Sequence, residues 1–375
     1  TSAGSTLSSF DALQGGETLT MSGSGTAASV NVANGIAMSS NGDLGLVDGT
    51  GLASNYSLNS TVINITQRVL NSSGSKTYDA NTDALDANIT LSNLVSGESL
   101  NHSGTATLSS ANAGSYTISN LTGISIADNA GLASNYTLTG GTHNFTVNQK
   151  AISLSGTRLY DATTDAVASD LTTISGRVGS ETLTLSGTGS VTDANVASNK
   201  TVTVGTLALG DGTGLAANYT LSGGTHQLTI DQAPISFTGT RTYNATTNVE
   251  VANITLTGQQ GGEDLTVTGV GSITSGNVGS GKTANVTGLT LGDGVSGTPG
   301  TATNYTFTGG TQTFDVTQAP LTISGSREYD GTTSVSGVSL TPTFDSLQGG
   351  ETLALSGTGS VSTANVGSSK AVSLG

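Results

Sequence analysis

Four short motifs recur along this chain with a common step of a little over 80 residues. A basic residue, a spacer, Tyr and Asp or Asn appear as Lys76-Thr77-Tyr78-Asp79, Arg158-Leu159-Tyr160-Asp161, Arg241-Thr242-Tyr243-Asn244 and Arg327-Glu328-Tyr329-Asp330. The tyrosines lie 82, 83 and 86 residues apart. A Gly-Glu-x-Leu pattern, with Ser180 in the glycine position once, recurs at Glu17, Glu98, Glu181, Glu263 and Glu351. An Asn-Tyr pair returns at Tyr56, Tyr136, Tyr219 and Tyr305, and a Gln closes each unit at Gln67, Gln149, Gln232 and Gln318. Self-similarity at a fixed period is the signature of a repeat architecture. The expected units are 68–149, 150–232 and 233–318, with a C-terminal part of a repeat at 1–67 and an N-terminal part at 319–375. The segment from Phe10 to Leu19 nearly repeats Phe344 to Leu353. The chain therefore reads as a window from a longer array, with any secretion signal outside it.

Within one unit the pattern is that of strands. Glu181 to Ser186 alternates apolar with small polar residues, as do Thr201 to Gly205, Tyr219 to Ser222 and Leu228 to Ile230, which is the period of a half-buried strand. Gly-rich segments such as Gly210 to Gly214 supply turns between them. No window carries a capped stripe of helical period. The expectation is an all-β fold: a tandem array of small β-sandwich-like domains, immunoglobulin-like or β-grasp-like, of six to eight short strands each, forming an elongated rod. At the joints, Gln232-Ala233-Pro234 and Gln318-Ala319-Pro320 leave little chain between strands, and proline stiffens such a connection.

Composition fits that pattern. Gly (54), Ser (51) and Thr (64) make up nearly half of the 375 residues, while charged residues are 9% and aromatics 4%. Small domains have much surface and little core. Thr favours strands through its branched Cβ and shows water a hydroxyl, so Thr and Ser are expected on solvent faces and Leu, Val, Ile and Tyr inside. The absence of Cys excludes disulfides and thiolate sites. A formal charge of −15 would repel a nucleic-acid backbone, and no apolar run is long enough for a membrane-spanning helix.

The motifs resemble the YDG-type repeats of large bacterial adhesins, the filamentous-haemagglutinin-like surface proteins secreted by a two-partner route. The residues carrying the resemblance are Tyr329-Asp330-Gly331-Thr332-Thr333, Tyr160-Asp161-Ala162-Thr163-Thr164, the Glu motif, Ala194-Asn195-Val196 with Lys200, the Asn-Tyr pair and the Gln-Ala-Pro joint. Only one unit keeps Gly after Tyr-Asp, one has Tyr243-Asn244, and Ala111 to Tyr116 departs from Ala-Asn-Val. The resemblance implies an extracellular or cell-surface location, an outer-membrane export partner, and repeats that hold a binding region away from the cell.

Candidate chemistry is sparse. His143 and His226 follow Gly-Gly-Thr at equivalent positions, where the next unit has Gln312; with His102 they read as polar residues of strands, since no Ser-His-Asp order recurs around them. Asp48, Asp128, Asp211 and Asp293 precede Gly or Asn in a turn. Oxygen-rich turns can hold calcium, but Asp-Gly is an ordinary turn former, so these four are weak calcium candidates and no other cofactor is expected. Asp79, Asp161 and Asp330 give way to Asn244, which favours side-chain-to-backbone hydrogen bonds over metal ligation. The recurring Glu and the basic residue before each Tyr read as a partly shielded ion pair or cap within each domain. Lys200, Lys282 or Lys370 could alternatively form an isopeptide cross-link. Fifteen Asn-x-Ser/Thr sequences match the acceptor motif for glycosylation, four of them within the Asn-Tyr pair itself, so repetition accounts for part of their number.

The leading functional expectation is thus a non-enzymatic stalk segment of an adhesin, its partners the neighbouring repeats. The alternatives are a self-associating subunit of an extracellular fibre or biofilm matrix, joined through edge strands, and a module binding carbohydrate, mucin or matrix glycans.

Overall fold

The computed structural model describes residues 10, 13–58, 61–118, 121–337, 343–344 and 347–375. Asp11, Ala12, Asp345 and Ser346 of the repeated Phe-to-Leu segment, and the sequon residues Asn59 and Asn120, lie outside the described residues. The fold is all-β: short strands joined by turns, with single turns of 3₁₀ helix such as Ala133–Asn135, Ala216–Asn218 and Ala302–Asn304. Among the described residues no helix is long and apolar enough to cross a membrane.

Backbone contacts divide the chain into two compact units, one of residues 1–153, 174–184 and 209–224, the other of 154–173, 185–208 and 225–375. In the first, an opening strand, Asn71–Thr77, lies parallel to a closing strand, His143–Asn148, so that Ser72 faces His143 and Thr77 faces Asn148. Gly114–Thr117 flanks the closing strand and Ile89–Ser92 the opening one, both antiparallel, giving a four-stranded mixed sheet. A second sheet joins Ile124–Ala127, Asn101–Thr107 and Asp83–Leu85. The closing strand alternates as its sequence does, burying His143, Phe145 and Val147 and exposing Asn144 and Asn148. Leu70, Leu100 and Tyr136 form a further buried cluster against Leu91, Leu94 and Leu138.

The second unit repeats this plan. Ser236–Thr242 runs parallel to Gln312–Thr317, and Ser153–Leu159 runs parallel to His226–Asp231. Phe237, Val249, Ile273, Ala284, Leu289, Phe314 and Val316 fill one core, with Phe307 edge-on to Phe237. Gly279–Asn285 lies antiparallel to Gln312–Thr317 with a bulge before Lys282, where Gly281 takes a φ of 62°. Asn199 occupies the same left-handed position before Lys200, beside a matching register shift.

Three expectations change. Among the described residues, 68–149 holds nine strand segments rather than six to eight, because Arg68–Val69 and Tyr136–Thr137 pair with each other as a short parallel ladder. The strand read at Thr201 to Gly205 sits earlier, at Ala197–Thr201, and Thr203 makes only an isolated bridge to Ser190. The Gln-Ala-Pro joint at 232–234 is no spacer: Ala233–Pro234 pairs in parallel with Tyr305–Thr306, so the connection is already part of the following repeat.

Candidate functional site: the repeat junction

The recurring Glu closes a turn, with the Glu181 N–H donating to the Val178 carbonyl and Glu98 and Glu263 doing the same to Val95 and Gln260. The Tyr of the Asn-Tyr pair braces that turn from the same repeat. The Tyr136 hydroxyl accepts the Val95 N–H at 3.1 Å and donates to Glu98 Oε2 at 2.5 Å. Tyr305 is held likewise by Gln260 at 2.9 Å and Glu263 Oε2 at 2.6 Å, Tyr219 by Val178 and Glu181, and Tyr56 by Gln14 and Glu17.

The second carboxylate oxygen serves a different repeat. Tyr78, one unit upstream, donates to Glu181 Oε1 at 2.7 Å. Tyr160 donates to Glu263 Oε1 at 2.5 Å, and Tyr243 to Glu351 Oε1. Glu181 and Glu263 therefore each hold two phenols, one from their own repeat and one from the repeat before. Tyr329 of the last such motif is 67% exposed. Gly214 makes room for this arrangement, since a Cβ there would stand 2.6 Å from Glu181 Oε2.

The phenols respond to these surroundings. Burial, followed by the hydrogen bond to Glu181, pushes Tyr78 up to about 12. Burial and Glu263 do the same to Tyr160. Tyr136, Tyr219 and Tyr305 are raised by the same two causes in the same order.

An asparagine clamp accompanies the carboxylate. Asn218 Oδ1 accepts the Ala113 N–H at 2.8 Å, and its Nδ2 donates to Asn112 Oδ1 at 3.0 Å. Asn135 grips Val32 and Asn31 in the same way, and Asn304 grips Val196 and Asn195. Only a backbone N–H and an Asn side chain are read, so Ala113 serves as well as Val32 or Val196. The departure at Ala111 to Tyr116 thus preserves the contact. The closing glutamine completes the junction: Gln232 Nε2 donates to the Thr303 and Tyr305 carbonyls, both at 3.0 Å, while Gln149 reaches Ala217 and Gln67 reaches Ser134 and Tyr136.

The basic residue and the Glu do different work, which corrects their reading as one ion pair or cap inside a domain. Lys76 Nζ contacts Asp79 at 2.8 Å and donates to the Asn81 carbonyl at 2.8 Å. Arg158 pairs with Asp161 and reaches the Thr163 carbonyl, and Arg327 pairs with Asp330 and reaches Thr332. Arg241 meets Asn244 and Thr246, so the neutral Asn is accommodated without its charge. Burial alone would raise the Asp79 carboxyl, but Lys76 and the Asn81 N–H outweigh it and hold it below the usual carboxylate range. The residue inside this brace is left-handed in all four copies: Ala80 (φ 62°), Ala162 (φ 63°), Ala245 (φ 59°) and Gly331 (φ 77°). Glycine suits the position, and alanine holds it under strain.

The remaining candidates occupy local roles. Asp48, Asp128, Asp211 and Asp293 each accept an N–H at the start of the next 3₁₀ turn, from Ala53, Ala133, Ala216 and Ala302 at 2.6 to 2.8 Å. Among the described residues no three His, Asp or Glu side chains gather as a metal site would require. His143 is buried, with Nδ1 at 3.0 Å from the Ser72 hydroxyl and Nε2 at 2.8 Å from the Leu138 carbonyl. Gln312 donates to the carbonyl of Phe307, again five residues upstream, at 3.2 Å, which explains the exchange of His for Gln. Lys200 Nζ contacts Asp193 at 2.6 Å, the lysine side chain largely covered and the aspartate half exposed.

Fold and junction define a tandem all-β repeat protein in which neighbouring repeats share side-chain partners. The chain belongs to the YDG domain family, whose pattern it matches over residues 64–144, 141–227, 224–314 and 315–375. Among curated proteins none matches it.

Proposed function

We propose that this chain is a structural spacer of a bacterial surface adhesin, secreted to the cell exterior, whose work is to hold a distal binding region at a distance. The observation that carries this reading is the junction itself. Between the repeats containing Tyr78 and Tyr219, four hydrogen bonds run from one repeat to the next: Tyr78 to Glu181, Ala113 to Asn218, Asn218 to Asn112 and Gln149 to Ala217. Hydrogen bonds contribute about 0.5–1.5 kcal/mol each, and about 1.5–3 when one partner is charged. A swivel at this joint would forfeit most of them together. Reach without bending is what a spacer needs. The adhesin setting, an outer-membrane export partner and a place outside the cell come with the resemblance of the motifs.

Sedimentation and small-angle scattering of the purified chain test the reading. A monomeric, strongly asymmetric particle, unchanged with concentration, is expected. Filaments that grow with concentration would favour a fibre-forming role instead. Saturable binding of a glycan by an isolated segment would move the function to the repeats themselves.

A further inference from the structure

At Glu181 and at Glu263 the two phenol rings held by one carboxylate also touch each other. The rings of Tyr78 and Tyr219 meet edge to face with centroids 5.3 Å apart and planes at 79°. Those of Tyr160 and Tyr305 stand at 5.3 Å and 77°. In each pair the hydroxyls point at opposite oxygens of one carboxylate. The hydroxyl-bearing carbons, and the ring carbons beside them, therefore converge on one place. Neither ring is free to turn away, since Tyr78 is 4% exposed and Tyr219 2%.

We propose that each pair is an oxidative cross-linking site, at which Tyr78 and Tyr219, and likewise Tyr160 and Tyr305, couple through carbons ortho to their hydroxyls into a dityrosine joining successive repeats. The oxidant belongs to the class of haem peroxidases using hydrogen peroxide. Each phenol gives up one electron to the oxidant and its O–H proton to the shared carboxylate, which passes it on to the reduced peroxide. The two phenoxyl radicals then form one carbon–carbon bond. The hydrogens on the joined carbons shift to the oxygens and restore both aromatic rings. In sum, two phenols and one peroxide become one biphenol and two waters.

The carboxylate gives the site its chemistry. A tyrosine phenol, with an ordinary value near 10, is protonated near neutral pH, so an electron leaves readily only if the proton leaves with it. Glu181 at 2.7 Å from the Tyr78 hydroxyl and Glu263 at 2.5 Å from that of Tyr160 are positioned to take that proton. The bond would replace a reversible contact between repeats with a permanent one.

The test is to oxidise the purified chain with light-activated tris-bipyridyl ruthenium and persulfate, a small one-electron oxidant, and to map linked peptides by mass spectrometry. The native chain is expected to lose two hydrogens per bridge, with Tyr78–Tyr219 and Tyr160–Tyr305 linked inside one molecule. Tyr78→Phe should leave only Tyr160–Tyr305, and Tyr160→Phe only Tyr78–Tyr219. Either variant suffices if the other folds poorly. Links confined to Tyr116 or Tyr329, links only between molecules, or tyrosine oxidation with neither named bridge would overturn the proposal.

Discussion

Replacing Glu181 with Ala removes the acceptor of two phenols at once. Tyr78 and Tyr219 are both buried, so each loses a hydrogen bond to a charged partner, about 1.5–3 kcal/mol, and keeps a hydroxyl out of reach of water. Relaxation around the shortened side chain will recover some of this, which puts the expected cost at about 3–5 kcal/mol. Glu98 supplies the internal comparison, because among the described residues it holds a single phenol, Tyr136. Glu98→Ala should cost about half as much. A double-mutant cycle sharpens the test: Tyr78→Phe with Glu181→Ala should show coupling of about 1–2 kcal/mol, while Tyr78→Phe with Glu98→Ala should be additive, since the two share no partner. An array does not unfold as one two-state event. The readout should therefore be local, by native-state hydrogen exchange at the Val178 amide, which the Tyr219 hydroxyl accepts, and at the Ala113 amide held by Asn218. Equal losses for Glu181→Ala and Glu98→Ala, or no coupling between Tyr78 and Glu181, would refute the two-phenol account.

Alkali should loosen the same junctions. Burial and the shared carboxylate push Tyr78 and Tyr160 up to about 12 from an ordinary value near 10, so their stabilisation is complete below pH 10 and is lost between about pH 10 and 12. The loss should approach about 1.4 kcal/mol per pH unit for each tyrosine, and denaturation midpoints that stay level to pH 12 would contradict it. Ala162→Gly relieves a left-handed alanine (φ 63°) and should stabilise the chain by about 0.5–1 kcal/mol once the greater freedom of unfolded glycine is deducted, read by denaturant midpoint. Asn218→Ala should cost about 2 kcal/mol and selectively speed exchange of the Ala113 amide, because that N–H loses its acceptor inside the joint. Gly214→Ala should mimic part of Glu181→Ala, since the new methyl displaces the carboxylate; unchanged exchange at Val178 would argue against this.

The sequence displayed the junction residues without displaying the junction. Tyr78, Glu181 and Asn218 stood out because they recur, but a period says which positions are equivalent and nothing about which ones touch. Tyr78 and Glu181 are 103 residues apart, more than one full step, so the Glu of its own repeat, Glu98, was an equally valid partner on spacing alone. The strands at Leu183–Ser186 and His226–Asp231 were legible because one face is buried, and alternation records that directly. Thr201 to Gly205 alternates too, but the bulge at Asn199 moved the ladder upstream. The left-handed position after Tyr-Asp was hidden because three of its four occupants are alanine, and only Gly331 carries the usual signal.

The parallel pairing of each opening and closing strand has a mechanical consequence. The chain enters Ser153–Leu159 at one end of that ladder and leaves His226–Asp231 at the other, with Leu154 opposite His226 and Leu159 opposite Asp231. Tension drawn along the backbone therefore slides the two strands past one another and loads every rung of the ladder at once. An antiparallel hairpin pulled from its open end would instead unzip one rung at a time. Under force, survival is set by the unfolding rate rather than by equilibrium stability. A repeat wired in this way resists traction from its two ends far better than its small core would indicate.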